Sequence, residues 1–504
     1  LTAHQLVIAI SFVAFVLLFI GVGIYSGLSQ NATTTDDYLL AGRDANPWLT
    51  GLSTVATGNS GFMFIGLIGF TYTVGLSALW VVLGWILGDY LAWSLVHRRL
   101  RRVSEELDSS TVVEFLSQES VDDSRWITLT SGFITIVFLA VYAATQLQAG
   151  SKALSVIFGW DYGIGIVLGA VIVTLYCFTG GIQASIWVGS LQSSLMIMSM
   201  LLLVGVAVVY GGGPVGLWQT LKDIDPTLLS LSPPNLQFGM VPFAVSWLAA
   251  GFGVVGQPHI MSRIMAIDSG KNIKLARNVY TTLYVVFALA ALGVGLTARV
   301  LLPDLMAADA ELALPELAES LLPGLLVGVV LSGLFAATIS TADAQLLTCS
   351  ATLTQDVLFR WTANSIQLAR VGTLTMAVVI CVVALVGNDN VFVLATIAWS
   401  ALAASLGPLM IVRALGQPIK TGSALAMMMA GMGTALVWRL GLGFANSVCE
   451  ALPGMIAGAL VYLLGRMLTD NPSASDPPVQ NHSTGSDPQN SDSQSSAPET
   501  AARS

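Results

Sequence analysis

A chain of 504 residues that is 55% hydrophobic, only 10% charged and has a mean hydropathy of +0.77 is excluded from the soluble globular class, although its length would admit several soluble domains. Its net charge of −9 carries no signal for nucleic acid, and its four cysteines, Cys177, Cys349, Cys381 and Cys449, lack metal-ligand spacing and read as buried thiols. Runs of about 20 apolar residues recur almost to residue 467, which makes this an all-α, polytopic membrane protein whose first partner is the lipid bilayer.

Hydropathy and turn signals place about thirteen spans, near 7–28, 48–73, 76–96, 126–149, 162–180, 186–210, 239–258, 275–298, 321–345, 368–387, 391–412, 424–441 and 448–467. The first run, Val7 to Tyr25, has no basic flank or clear small-residue cleavage site and reads as a helix, not a signal peptide. Residues 471–504, rich in Ser, Asp, Pro and Asn, read as a disordered tail. With the N-terminus outside, the inner loops collect Arg43, Arg98, Arg99, Arg101, Arg102, Arg125, Arg263, Lys271, Lys274 and Arg277. The outer loops and helix ends collect Asp304, Asp309, Glu311, Glu316 and Glu319, with few cations besides Lys152. That asymmetry places the C-terminus in the cytoplasm.

In chain order, Arg43 ends an elbow, Asp36 to Arg43, where it either caps helix ends or joins a solvated charge cluster. The second span contains Gly58-Asn59-Ser60-Gly61, poor helix material at mid-membrane. It fits a broken helix that frees backbone groups for an ion or substrate, or a small-residue packing face. Asp89, at the inner end of the third span, is expected to snorkel or to pair with Arg98, with a proton-linked role as the alternative. The acidic loop that follows, with Glu105, Glu106, Asp108 and Glu114, suggests a short amphipathic surface helix. Tyr142, Thr145, Gln146 and Gln148 line an entry path or bond to neighbouring helices. The fifth and sixth spans join through Gly180-Gly181, and Ser190, Gln192, Ser193 and Ser194 make the sixth polar at its start.

The seventh span ends in Gly256-Gln257-Pro258-His259, where proline breaks the helix. Its GxGxxG has no preceding strand and is not a nucleotide fingerprint. His259 lacks a second ligand at metal spacing and reads as a satisfied structural histidine. The ninth span packs Thr338, Ser340, Thr341, Asp343, Gln345 and Thr348 into about four turns. Ala337, Ser340 and Thr341 share one face, offering hard oxygen ligands to a hard cation such as Na⁺. Hydroxyl bonding to the i−4 carbonyl is the competing reading.

At these residues the chain resembles the sodium:solute symporters, most closely the sodium/proline symporter branch. The marks are Asp37-Tyr38 with Gly42-Arg43, Thr179 to Gly181, Gly256 to Ile260 followed by Arg263 and Asp268-Ser269, and Ser340-Thr341 followed by Gln345, Cys349-Ser350 and Asp356. The resemblance implies thirteen helices with an inverted-repeat core of five plus five, spans two to six and seven to eleven. The chain would then divide into a first helix and elbow (1–47), a transport core (48–412), two further helices (413–470) and the tail. The sodium site implied by position comprises the carbonyls of Ala56, Asn59 and Ala337 and the hydroxyls of Ser340 and Thr341.

The implied substrate positions are Gly58, Ser60, Gly61, Ala250, Val254, Gln257 and Pro258. Proline symporters carry aspartates where this chain has Gly58 and Gly189, and a tryptophan and a tyrosine where it has Ala250 and Val254. The loss of both aromatics implies an enlarged or reshaped pocket. The expected activity is sodium-coupled import of a small organic solute by alternating access, an amino acid, proline-like or bulkier, at the plasma membrane. A membrane solute sensor and a proton-coupled transporter are the alternatives, and no catalytic constellation suggests an enzyme.

Overall fold

The structure, a computed structural model, describes residues 2–29, 35–118, 120, 124–233, 235–358, 366–387 and 390–469. The expected tail therefore lies outside the described residues. The principal helices are α1 (Ala3–Ser29), α2 (Pro47–Gly61), α3 (Leu67–Val74), α4 (Leu79–Ala92), α5 (Arg125–Phe158), α6 (Tyr162–Tyr210) and α7 (Met240–Phe252). They are followed by α8 (Pro258–Ala266), α9 (Ile273–Leu301), α10 (Gly324–Ala351), α11 (Ile366–Val386), α12 (Val391–Ala414), α13 (Thr421–Leu436) and α14 (Ala451–Thr469). In hydrocarbon a helix satisfies its own backbone, which is why apolar runs of this length adopt it.

Among the described residues, nine helices are long and apolar enough to cross a membrane, or ten when the bent pair Met240–Gly256 and Pro258–Ala266 counts as one span. The expected thirteen arise only if residues 47–106 and α6 each hold two spans and the shorter Ala451–Met467 is admitted. Large apolar side chains such as Phe133 (68% exposed) and Val386 (80%) point outward, as a lipid-facing surface requires.

Local chemistry sets the helix ends and bends. Asn46 caps α2, its side-chain oxygen accepting from the amides of Trp48 (2.9 Å) and Leu49 (3.4 Å). α6 bends at Gly181, whose φ of 58° suits a residue without a Cβ. A Cβ there would stand 2.4 Å from the carbonyl oxygen of Tyr38. The elbow follows the capping reading of Arg43: its guanidinium donates to the carbonyls of Ser104 (3.0 Å) and Ser109 (2.7 Å). The acidic loop forms a short helix, Val112–Ser117, but its apolar side chains are buried against the protein.

α10 sits at the centre, packed by α1, α2, α5, α6 and α11, and nearly all its residues are buried. Thr341 and Ser350 turn their hydroxyls to neighbouring helices, whereas Ser332, Thr338 and Thr348 bond carbonyls of their own helix. α4 and α7 approach so closely that their backbones nearly touch. A Cβ on Gly88 would lie 2.0 Å from the Leu248 carbonyl oxygen and 2.5 Å from the Phe252 nitrogen. Gly88→Ala is expected to force the helices apart at a cost of about 1–3 kcal/mol. The thermal unfolding midpoint of the purified protein reports this, and an unchanged midpoint would contradict the close approach.

On the acidic side, Lys152 of α5 is buried between Asp309 and Glu311, each 2.7 Å from its ammonium nitrogen. The Glu311 carboxylate also accepts from the amides of Val391 (3.1 Å) and Phe392 (2.9 Å) at the start of α12. The loop that carries Asp309 and Glu311 is thus tied to α5 and α12 by a single ionic cluster.

Candidate functional site

The site begins where α2 fails. Ser60 takes φ 48° and ψ 178°, a conformation that L residues avoid, inside the run Gly58 to Gly61. The freed groups find partners locally: the Gly61 amide donates to the Gln146 side chain (2.7 Å), and the Phe62 amide to the Ser60 hydroxyl (3.1 Å). The broken-helix reading therefore holds over the packing-face reading, although Gly61 is also tightly packed, with a Cβ direction 2.7 Å from Ala149 Cβ.

α10 meets this break with its hydroxyl face. The Thr341 hydroxyl lies 2.9 Å from the Thr57 carbonyl oxygen and 3.0 Å from that of Ala337, and the Ser340 hydroxyl lies 3.4 Å from that of Thr57. Ala56, Asn59, Ala337, Ser340 and Thr341 are all buried, at 2% exposure or less. Thr57 was absent from the sequence-derived set; its only signal was its place between Ala56 and Asn59. Hydroxyl bonding to the i−4 carbonyl does occur at Thr341, and the same oxygen reaches across to α2. The Asn59 side chain is fully buried with neither its oxygen nor its nitrogen hydrogen-bonded. The buried carbonyl oxygens of Thr57 and Ala337 with the hydroxyls of Ser340 and Thr341 are a donor set that fits a small hard cation.

The substrate positions are only partly assembled. Ser60 lies 3.4 Å from the Tyr142 hydroxyl. Trp399 of α12 joins Ala250 to Gln257, its indole donating to the Ala250 carbonyl (2.8 Å) and its own carbonyl accepting from the Gln257 amide (3.0 Å). Tyr142 packs edge-on against Trp399 (6.3 Å) and His259 (5.9 Å), so α5 and α12 link the break in α2 to that between α7 and α8. Pro258 opens α8 after a 58° bend, and Val254 is buried in the turn before it. Gly58 faces away from this group, its Cβ direction lying 3.1 Å from the Tyr280 hydroxyl of α9.

Trp85 of α4 packs against Trp399 (4.9 Å), Phe62 (5.3 Å) and Trp247 (6.3 Å), bringing aromatic volume from a different helix. A cavity of about 40 Å³ lies on the arginine-rich side, bordered by Tyr38, Ser185, His259, Arg263 and Thr348. His259 borders it with neither ring nitrogen hydrogen-bonded, so it is not the satisfied histidine expected.

Two carboxylates also depart from expectation or define new contacts. Asp89 neither snorkels nor pairs with Arg98; it is 1% exposed and accepts from the Tyr280 hydroxyl. Asp343 is held by the Cys177 thiol (2.9 Å) and the Ser185 hydroxyl, and Arg263 donates to that same Ser185 (2.7 Å). Cys177 is buried, as read, and serves as a donor there.

The family model described as the sodium:solute symporter family matches residues 38–431. The high-affinity proline transporter of Bacillus subtilis is 30% identical over 453 residues, covering 88% of this chain and 95% of that transporter. The sodium/proline symporter of Escherichia coli is 31% identical over 452 residues, 87% of this chain and 89% of that protein. A substrate-bound, outward-open Na⁺-coupled sialic acid symporter superposes with a TM-score of 0.75 at 19% identity, covering 91% and 97% of the two chains. Mhp1, a nucleobase-cation-symport-1 family transporter, superposes at 0.57 and 15% identity over 87% and 95%.

Proposed function

This chain belongs to the sodium:solute symporter family and is a sodium-coupled importer of a small solute, and from that premise we propose that its cargo is an amino acid, proline-like or bulkier. The observation that carries the coupling mechanism is the contact of Thr341 with both α10 and the broken α2. In our reading, Na⁺ sits among the carbonyls of Ala56, Asn59 and Ala337 and the hydroxyls of Ser340 and Thr341. Bound there, the ion holds α2 against α10 and favours the state that accepts solute. Closure and inner release follow when both sites are filled.

One Na⁺ entering down 100 mV supplies about 2.3 kcal/mol, enough to concentrate a solute tens-fold. The solute is placed beside Ser60, Ala250, Val254, Gln257 and Pro258, where buried polar atoms such as the Gln257 side-chain oxygen have no protein partner. Residues 48–412 are assigned as the transport core, with the arginine-rich loops and the C-terminus on the cytoplasmic face of the plasma membrane.

Uptake into proteoliposomes under an inward Na⁺ gradient, competed with a broad amino-acid panel, tests this reading. The expected result is Na⁺-dependent uptake in which proline is not the strongest competitor, because Trp85 reshapes the aromatic wall beside Ala250. Proline as the strongest competitor overturns the substrate reading, and no amino-acid uptake at all overturns the cargo class.

A further inference from the structure

Asp89 is a buried carboxylate that neither the sodium site nor the substrate site uses. It lies on α4 at 1% exposure, with one carboxylate oxygen accepting from the Tyr280 hydroxyl and the other hydrogen-bonded to nothing. Aromatic rings flank the pair: Trp93 and Tyr284 each stack on Tyr280 at 5.4 Å, and His97 meets Trp93 edge-on at 4.7 Å.

The same Tyr280 hydroxyl lies 3.1 Å from the Cβ direction of Gly58. Gly58 stands between Ala56 and Asn59 on the broken turn, so one phenol connects the carboxylate to the helix that carries the proposed sodium carbonyls. A side chain at position 58 would compete with Tyr280 for that place.

Charge is what makes the arrangement informative. α7, the helix packed most closely on α4, has no titratable residue. From α9 the groups facing Asp89 are Tyr280 and Tyr284, while Arg277 turns outward to Tyr90 and the Ser94 hydroxyl. The turns at 75–78 and 253–256 contribute none, and in the turn that continues α4 His97 is buried with neither ring nitrogen bonded. Among the described residues, no cation thus pairs with Asp89 in this conformation. A sodium ion needs several oxygens, whereas a proton needs one, and the unpartnered oxygen is one acceptor.

We propose that Asp89 is a proton-binding site coupled to the sodium half-site through Tyr280 and the break in α2, with Na⁺ binding expelling the proton. The proposal rests on the sodium-site reading above. The step is a simple transfer: water at the site takes the proton from the carboxyl group, leaving a carboxylate whose charge favours Na⁺ at the adjoining break. By linkage, acidification then weakens Na⁺ binding.

The full-length purified protein tests this by NaCl titration at constant ionic strength, read by its tryptophan fluorescence, with Trp85 and Trp93 on the reporting helix segment. Apparent Na⁺ affinity is expected to weaken about tenfold or more from about pH 9 to about pH 5. Asp89→Asn, a fixed neutral carboxyl mimic, is expected to bind Na⁺ with no such dependence, and Tyr280→Phe to weaken the dependence, because the hydroxyl that joins Asp89 to the break is gone.

Wild-type Na⁺ affinity that is flat with pH, or an Asp89→Asn profile matching the wild type, overturns the proposal. Should Asp89→Asn fail to fold, a pH indicator in weakly buffered wild-type protein decides: proton release on NaCl addition supports the site and its absence overturns it. No fluorescence or proton response to NaCl at any pH overturns the sodium-site reading itself, an outcome distinct from Na⁺ binding without pH dependence.

Discussion

Thr341→Ala is expected to raise the Na⁺ concentration for half-maximal uptake by about tenfold or more, with the protein still folded. The Thr341 hydroxyl touches the carbonyl oxygens of both Thr57 and Ala337, the former across the helix boundary. Its loss removes one oxygen from the proposed ion cage and the hydrogen bond that joins α10 to the break, an effect of about 1–3 kcal/mol in a buried setting. At 1.4 kcal/mol per tenfold this shifts affinity by about one to two decades. Thr341→Ser, which keeps the oxygen, is expected to restore most of it. Uptake in proteoliposomes against graded external Na⁺ is the measurement, and an unchanged Na⁺ dependence in the alanine variant would reject the assigned site.

Lys152→Met should have the larger effect on stability. The lysine ammonium is the cation facing Asp309 and Glu311, and Glu311 is itself buried. Removing one partner of a buried ion pair strands the other charge, at about 3–5 kcal/mol. The fall in the thermal unfolding midpoint in detergent reports it. Adding Glu311→Gln to Lys152→Met removes the stranded charge while retaining an acceptor for the Val391 and Phe392 amides. The double variant is therefore expected to recover much of the loss. Simple additivity of the two single effects would show that the cluster is not one electrostatic unit.

Much of the transporter could be read before any coordinates. Hydropathy marked the apolar segments because hydrocarbon demands long self-satisfied helices, and the run Gly58 to Gly61 and the Gln257-Pro258 step marked both breaks because their residue types resist helix. The hydroxyl-rich stretch of α10 was legible for the same reason: polar groups in a membrane need partners. The number of spans was less legible, since α2 to α4 run on through a positive-φ glycine, Gly75, and α6 runs on through Gly181.

The sequence by itself thus determined the membrane class, the positions of both helix breaks and the hydroxyl face of α10, because these follow from local composition and spacing. Tertiary structure alone decided which groups meet across helices. Thr57 faces Thr341, Trp85 enters the wall beside Trp399, His259 stays without a hydrogen bond and Asp89 turns inward to Tyr280. Those pairings join residues far apart in the chain, and close approaches such as Gly88 against Leu248 set them. Packing at that distance depends on two helices at once, which is why no single stretch of sequence encoded it.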